Sequence, residues 1–264
     1  MMPSVVDVAG LNRVSRSIFA NAAGAICGMV EAKAPPADDK PIIAASMFGN
    51  TTECVNHAKN ILEKSGYEVL VFHATGAGGR AMESLIEAGL VSGVLDLTTT
   101  EWADELVGGI LGAGPTRLEA AARNGVPAVI APGCLDMVNF GPRDTIPEKF
   151  SGRLFYEHNP QVTLMRTTPE ECTNLGRILA EKANLSTGPV AVLLPTKAIS
   201  VISAPDQVFS DPAADQALFA AIKSNLHKDI ELQEIPVAVN DPEFSRIAVE
   251  TLLAFLQVET TKSV

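Results

Sequence analysis

From residue 41 onward the chain alternates short, almost unbroken apolar runs with stretches of helical periodicity, and few folds accept that order. The runs are 41–47 (PIIAASM), 67–74 (YEVLVFHA), 92–98 (SGVLDLT), 127–133 (PAVIAPG), 153–158 (RLFYEH), 189–196 (PVAVLLPT) and 230–237 (IELQEIPV). Helical stretches follow at 52–64, 80–89, 100–112, 116–124, 169–185, 212–226 and 241–256. Runs that are apolar at successive positions, not at every second one, suit strands covered by helices on both faces. The alternation predicts an α/β fold, a doubly wound, mostly parallel sheet with helices on both faces.

Ahead of this region, residues 11–32 place Leu11, Val14, Ile18, Ala22 and Ala25 three and four apart, which predicts a long N-terminal helix. Gly24 and Gly28, beside Ala20 and Ala25, form a small-residue stripe that reads as close helix packing or as a dimer contact. APPADDKP at 34–41 reads as a linker. The expected organisation is therefore a helical segment and linker at 1–40 and a Rossmann-like domain at 41–264. A formal net charge of −11 opposes nucleic-acid binding, because the summed field repels phosphates. The four cysteines show neither a C-x-x-C pair nor zinc-type spacing, so they read as buried small hydrophobes in a reducing compartment, and no metal site is predicted. The uncharged run at 17–30 is shorter than the ~20 residues a bilayer span needs. Arg13 and Arg16 before it faintly imitate a signal peptide, but an amphipathic helix explains the run better, and a soluble, cytoplasmic protein is expected.

In a doubly wound sheet, ligands bind beyond the carboxyl ends of the strands. Four loops there are unusual. In SMFGNTTE (46–53), Gly49 and Asn50 permit a tight turn and Thr51 or Thr52 suits a helix cap, so the loop reads either as an anion site or as a plain capped turn. In HATGAGGRAME (73–83), Gly76, Gly78, Gly79, Arg80 and Ala81 fit G-x-G-x-x-A, and Asp96 lies 20 residues past Gly76, where a ribose-binding acid would sit. That loop predicts a phosphate or carboxylate cradle, and an NAD reading rests on it alone. In LDLTTTEWADE (95–105), Thr98, Thr99 and Thr100 offer hydroxyls before Glu101, while Thr98 and Glu101 also match a capping box; Trp102 reads as core. In APGCLDMVNFGPRDT (131–145), Gly133, Cys134, Asp136 and Asn139 form a polar loop after a buried strand. Cys134 as a nucleophile would need a base, for which His73 and His158 are candidates, and a structural thiol is the plainer alternative. Lys197, in PTKAISVISAPD (195–206), stands where a lysine could meet a phosphate.

The stretches VVDVAGLNRVSRSIFANAAGAICGMV, ASMFGNTTECV, VFHATGAGGRAMESLI, GVLDLTTTEWADELVGGILGAGPTRLEAA, PGCLDMVNFGP and EHNPQVTLMRTTPEE span nearly the whole chain. In them the sequence resembles an uncharacterised bacterial, fungal and plant family that includes the ATP-binding domain of the tomato mosaic virus resistance protein. The resemblance implies a two-lobed α/β protein that forms a homo-oligomer and binds ATP, with Mg²⁺ carried by the phosphates. It implies a further α/β half ahead of the VVDVAGLN stretch, so that this chain looks like the second, C-terminal lobe. It also implies a TIM-barrel partner protein. By the same resemblance the loops 49–52, 76–80 and 98–101 would hold the nucleotide, with Arg80 and the glycine amides on phosphates and Gly133, Asp136 and Asn139 toward sugar or base. The turn at 196–200 departs from the family's glycine-containing turn. The function expected is nucleotide binding, either in an ATP-dependent enzyme acting on a small metabolite or in an assembly module without catalysis of its own.

Overall fold

The computed structural model describes residues 2–33 and 40–262, with side chains described as far as residue 257. Most of the expected linker at 34–41 falls on 34–39, outside the described residues. The chain divides into two units, Met1–Asp39 and Lys40–Val264. In the first, helix α1 (Arg13–Glu31) starts at Asn12, whose side-chain oxygen accepts the N–H groups of Val14 and Ser15 while the Ser15 hydroxyl accepts the Asn12 N–H. That reciprocal cap satisfies donors that a helix start leaves free.

The second unit runs β1 (Ile42–Met47), α2 (Thr52–Lys64), β2 (Glu68–His73), α3 (Ala77–Glu87), β3 (Gly93–Thr98), α4 (Glu101–Val107), α5 (Glu119–Asn124) and β4 (Ala128–Gly133). It continues with β5 (Met137–Phe140), β6 (Phe155–Asn159), β7 (Val162–Arg166), α6 (Pro169–Ala183), β8 (Val190–Pro195), α7 (Pro212–Asn225), β9 (Glu231–Ile235) and α8 (Pro242–Lys262). Six strands form a parallel sheet in the order β2-β1-β3-β4-β8-β9. β3, β4 and β8 are buried along their whole length, which is why their sequences carry no polar alternation. One face packs on α2 and α8 through Val55, Leu62, Phe244 and Leu252. The other packs on α3, α5, α6 and α7 through Met82, Ala121, Leu175 and Leu218. The fold is a doubly wound α/β sheet, with the strand order reversing between β1 and β3.

The 153–158 run does not join that sheet. β6 pairs antiparallel with β7, and β5 completes a separate three-stranded sheet in the order β5-β7-β6. Only Pro160 and Gln161 separate β6 from β7, where Gln161 N–H donates to Asn159 Oδ1. So short a connection closes a hairpin and excludes the crossover that a parallel pair requires.

Candidate functional site

The 73–80 loop has the amide cradle its glycines predict, but a side chain of the protein fills it. Gly76 takes φ +79°, and α3 begins at the next residue. The Gly76 and Gly79 N–H groups both donate to Oε1 of Glu101, at 2.7 and 3.1 Å, while Oε2 accepts from Nε of Arg117 at 2.7 Å. The positive end of α3 is thus neutralised by an internal carboxylate. A Cβ at Gly79 would collide with that carboxylate, and one at Gly78 would strike the His73 carbonyl. Arg80 is exposed and donates to the Gly112 carbonyl at 3.0 Å. The expectation that this loop presents unoccupied amides to a phosphate is therefore corrected at Gly76 and Gly79, and the Arg80 side chain is turned to a backbone carbonyl. The expected capping box is corrected too, because Glu101 reaches α3 and the Thr98 N–H donates to Ser46 Oγ. Asp96 lies inside β3, 2% exposed, and binds the Arg117 guanidinium through both oxygens at 2.5 and 2.7 Å. It is unavailable to a ribose.

The other predicted residues converge on the carboxyl ends of the strands, mostly as buried internal contacts. Thr51 and Thr98 bond to each other through their hydroxyls at 2.7 Å, across the β1/β3 reversal. Thr99 donates to the Ala131 carbonyl, and Thr100 is fully buried. A Cβ at Gly133 would meet the Leu97 carbonyl, so this glycine serves close strand packing. Asn139 donates its N–H and side-chain amide to the two oxygens of Asp104, at 2.9 and 2.6 Å. Burial pushes Asp104 up to about 7, against these hydrogen bonds. Gly49, Asn50 and Thr52 lie nearer the surface, where Thr52 Oγ1 donates to the carbonyls of Phe48 and Gly49 and the Asn50 carbonyl accepts from Asn240. Cys134 is fully buried, and burial raises its thiol well above the usual range, which removes the thiolate a nucleophile needs. Trp102 is in the core.

Open space at the carboxyl end of the sheet lies further along, past β8 and β9. A cleft of about 590 Å³ is bounded by Thr196 and Lys197 just after β8, Glu234 on β9, and Phe219 and Lys223 on α7. Ser203, Ser210 and Asp215 complete its polar wall. Lys223 is held by Glu234 at 3.0 Å. Among the described residues, Lys197 Nζ has neither a salt-bridge nor a hydrogen-bond partner, and its backbone is anchored by donation to the Val237 carbonyl. Asp215 is bound by Arg166 Nη2 at 2.6 Å, and its carboxyl is raised by burial, which Arg166 opposes. Behind the wall, Asp136 is fully buried and accepts the Ser200 hydroxyl at 2.7 Å. Burial raises Asp136 to about 6, with Arg166 and Ser200 pulling the other way. None of the glycine- or threonine-loop residues lines this cleft. Of the residues singled out from sequence, Lys197 does. Phe219, Lys223 and Glu234 had no sequence signal, being ordinary positions on a helix and an edge strand.

Two family models match the chain. The model described as "Uncharacterised protein family (UPF0261) C-terminal domain" covers residues 40–256, and that for the N-terminal domain of the same family covers 1–35. The chain belongs to the UPF0261 family. It is 52% identical over 259 residues to a UPF0261 protein of Clostridium tetani, covering 97% of this chain and 64% of that one. It is 43% identical over 261 residues to the ToMV resistance protein Tm-1(GCR237) of Solanum lycopersicum, covering 96% of this chain and 35% of that one. The chain thus spans under two thirds of the length of these relatives. Among solved structures, a thioesterase domain from the curacin biosynthetic pathway matches at TM-score 0.39 and 10% identity, over 82% of this chain and 92% of that one. That likeness is too distant to bear on fold or function. No helix among the described residues is long and apolar enough to cross a membrane.

Proposed function

We propose that this UPF0261 chain binds a nucleotide, ATP with its Mg²⁺, in the cleft at the carboxyl ends of β8 and β9. The observation that carries the reading is Lys197: a lysine without a partner, facing a cleft of about 590 Å³ in a chain of net charge −11. In so acidic a molecule, a cation left unpaired in a cleft of ligand size calls for an anion from outside. Ser210 brings a hydroxyl to the same wall, beside the largely buried Phe219. Asp215 and Glu234 add carboxylates to the wall, held by Arg166 and Lys223. The resemblance to an ATP-binding domain supports the same ligand.

Calorimetry with Mg-ATP tests the proposal. Saturable binding is expected, weakened at least about tenfold in Lys197→Ala and unchanged in Arg80→Ala. Ligand at 100 times its dissociation constant should stabilise the fold by about 2.7 kcal/mol, a readable thermal shift. Neither heat nor shift at millimolar Mg-ATP would remove the reading; loss on Arg80→Ala alone would return the site to the α3 loop.

A second reading, an assembly module with a homo-oligomeric state or a TIM-barrel partner, draws on α1. That helix leaves Ile26, Met29 and Val30 exposed, at 56%, 64% and 80%.

A further inference from the structure

The segment carrying Lys197 is held from beneath by one buried carboxylate. Asp136 is fully buried, and its Oδ2 accepts the Ser200 hydroxyl at 2.7 Å. While its hydroxyl donates to Asp136, the Ser200 oxygen accepts the Ser203 N–H at 3.1 Å. Ser203 Oγ in turn accepts the N–H groups of Ile199 and Ser200, at 3.1 and 3.0 Å. Three backbone donors of a loop with no regular structure are thus satisfied by two serines, and the chain of bonds ends on Asp136.

The partner segment is itself constrained. Cys134 adopts φ +60°, a region costly for a side-chain-bearing residue, directly after β4. That turn lets the Cys134 N–H donate to the Ile199 carbonyl at 2.9 Å and carries Asp136 beneath Ser200. On the far side, the Val239 N–H donates to the Ala198 carbonyl. Ala198 needs no glycine, since it is not among the residues with positive φ. Asp136 also feels the charge of Arg166, whose guanidinium binds Asp215 in the cleft wall. Asp136 touches neither Lys197 nor the cleft, yet it connects to the wall by two routes.

We propose that Asp136 is the positioning residue of the cleft: through Ser200 it holds loop 197–203 in the shape that presents Lys197 to a ligand. This rests on the nucleotide reading for its purpose but not for its test. The first readout is amide hydrogen exchange without ligand. Ser200→Ala, which deletes one hydroxyl, should lower protection at Ile199, Ser200 and Ser203 at least about tenfold and leave the amides of β3 unchanged. Asp136→Ala should do the same, Asp136→Asn, which keeps an acceptor carbonyl, should recover protection to within about threefold, and the Asp136→Ala/Ser200→Ala double variant should be no worse than either single. The second readout is the Mg-ATP dissociation constant, expected to follow the same order of variants. Unchanged protection in Ser200→Ala, or additive losses in the double variant, would overturn the proposal even if Asp136→Ala fails to fold. Altered protection with no nucleotide bound by any variant, wild type included, would uphold the latch and sink the nucleotide reading instead.

Discussion

Arg117 is 1% exposed and meets three carboxylates, Glu83, Asp96 and Glu101, so the buried charges around it do not balance. The excess is spread over backbone donors: Glu101 takes the amides that open α3, and Glu83 takes the Leu118 and Ala120 N–H groups where α5 begins. Burial still raises Glu83, while Arg117 and those amides pull it down. The cluster therefore ties α3, β3, α4 and the entry to α5 at one point. Removing one partner of a buried ion network leaves an uncompensated charge, which typically costs about 3–5 kcal/mol. Arg117→Met should lose stability on that scale in urea denaturation at neutral pH. Glu101→Gln, which keeps one acceptor for the two amides but loses the ion pair, should cost about 1–3 kcal/mol. A loss below about 1 kcal/mol for Arg117→Met would mean that the cluster does not hold these elements together.

Helices and strands differed in how much of their placing could be read beforehand. The central strands β3, β4 and β8 were legible because burial on both faces demands continuous apolar residues. β5 and β7 were not. MVNF is buried throughout although it contains Asn139, whose side-chain amide nitrogen finds Asp104 on α4, from another element. The glycine loop could be read as an anion cradle, with Gly76 opening α3 and Gly78 and Gly79 in its first turn. Which anion fills it could not, because Glu101 arrives from 25 residues beyond Gly76 and only the folded chain brings them together. The cleft draws on α7, β9 and the loop after β8, and no local pattern announces such a meeting. Helix α1 poses the reverse case: its period was legible, and Val14, Ile26, Met29 and Val30 are nonetheless exposed. Exposed large side chains at that density call for a covering surface. Light scattering should show an oligomer that dissociates in Ile26→Asp/Met29→Asp; a wild-type monomer at tens of micromolar would count against the assembly reading.

Across the whole molecule, burial raises the proton affinity of several interior carboxyls. Asp104 is pushed up to about 7 and Asp136 to about 6, and Glu83 and Asp215 are raised as well, in each case chiefly by burial. In the unfolded chain an Asp titrates near 3.9 and a Glu near 4.3. Between those values and the raised ones the native state binds more protons than the unfolded state, so stability must rise as pH falls through that window. Each such group contributes a slope of up to about 1.4 kcal/mol per pH unit, present below its unfolded value and lost as pH rises through its folded one. Glu119 runs the opposite way, lowered by Lys182 and Arg123, and its contribution disappears only at more acid pH. The urea midpoint should therefore increase from pH 8 to about pH 5 and turn over below about pH 4. Asp104→Asn should flatten the rise near pH 7 while leaving the part near pH 6 in place. A midpoint that falls steadily from pH 8 to pH 5 would show that these carboxyls are ionised in the fold without cost, and that water or a cation reaches them.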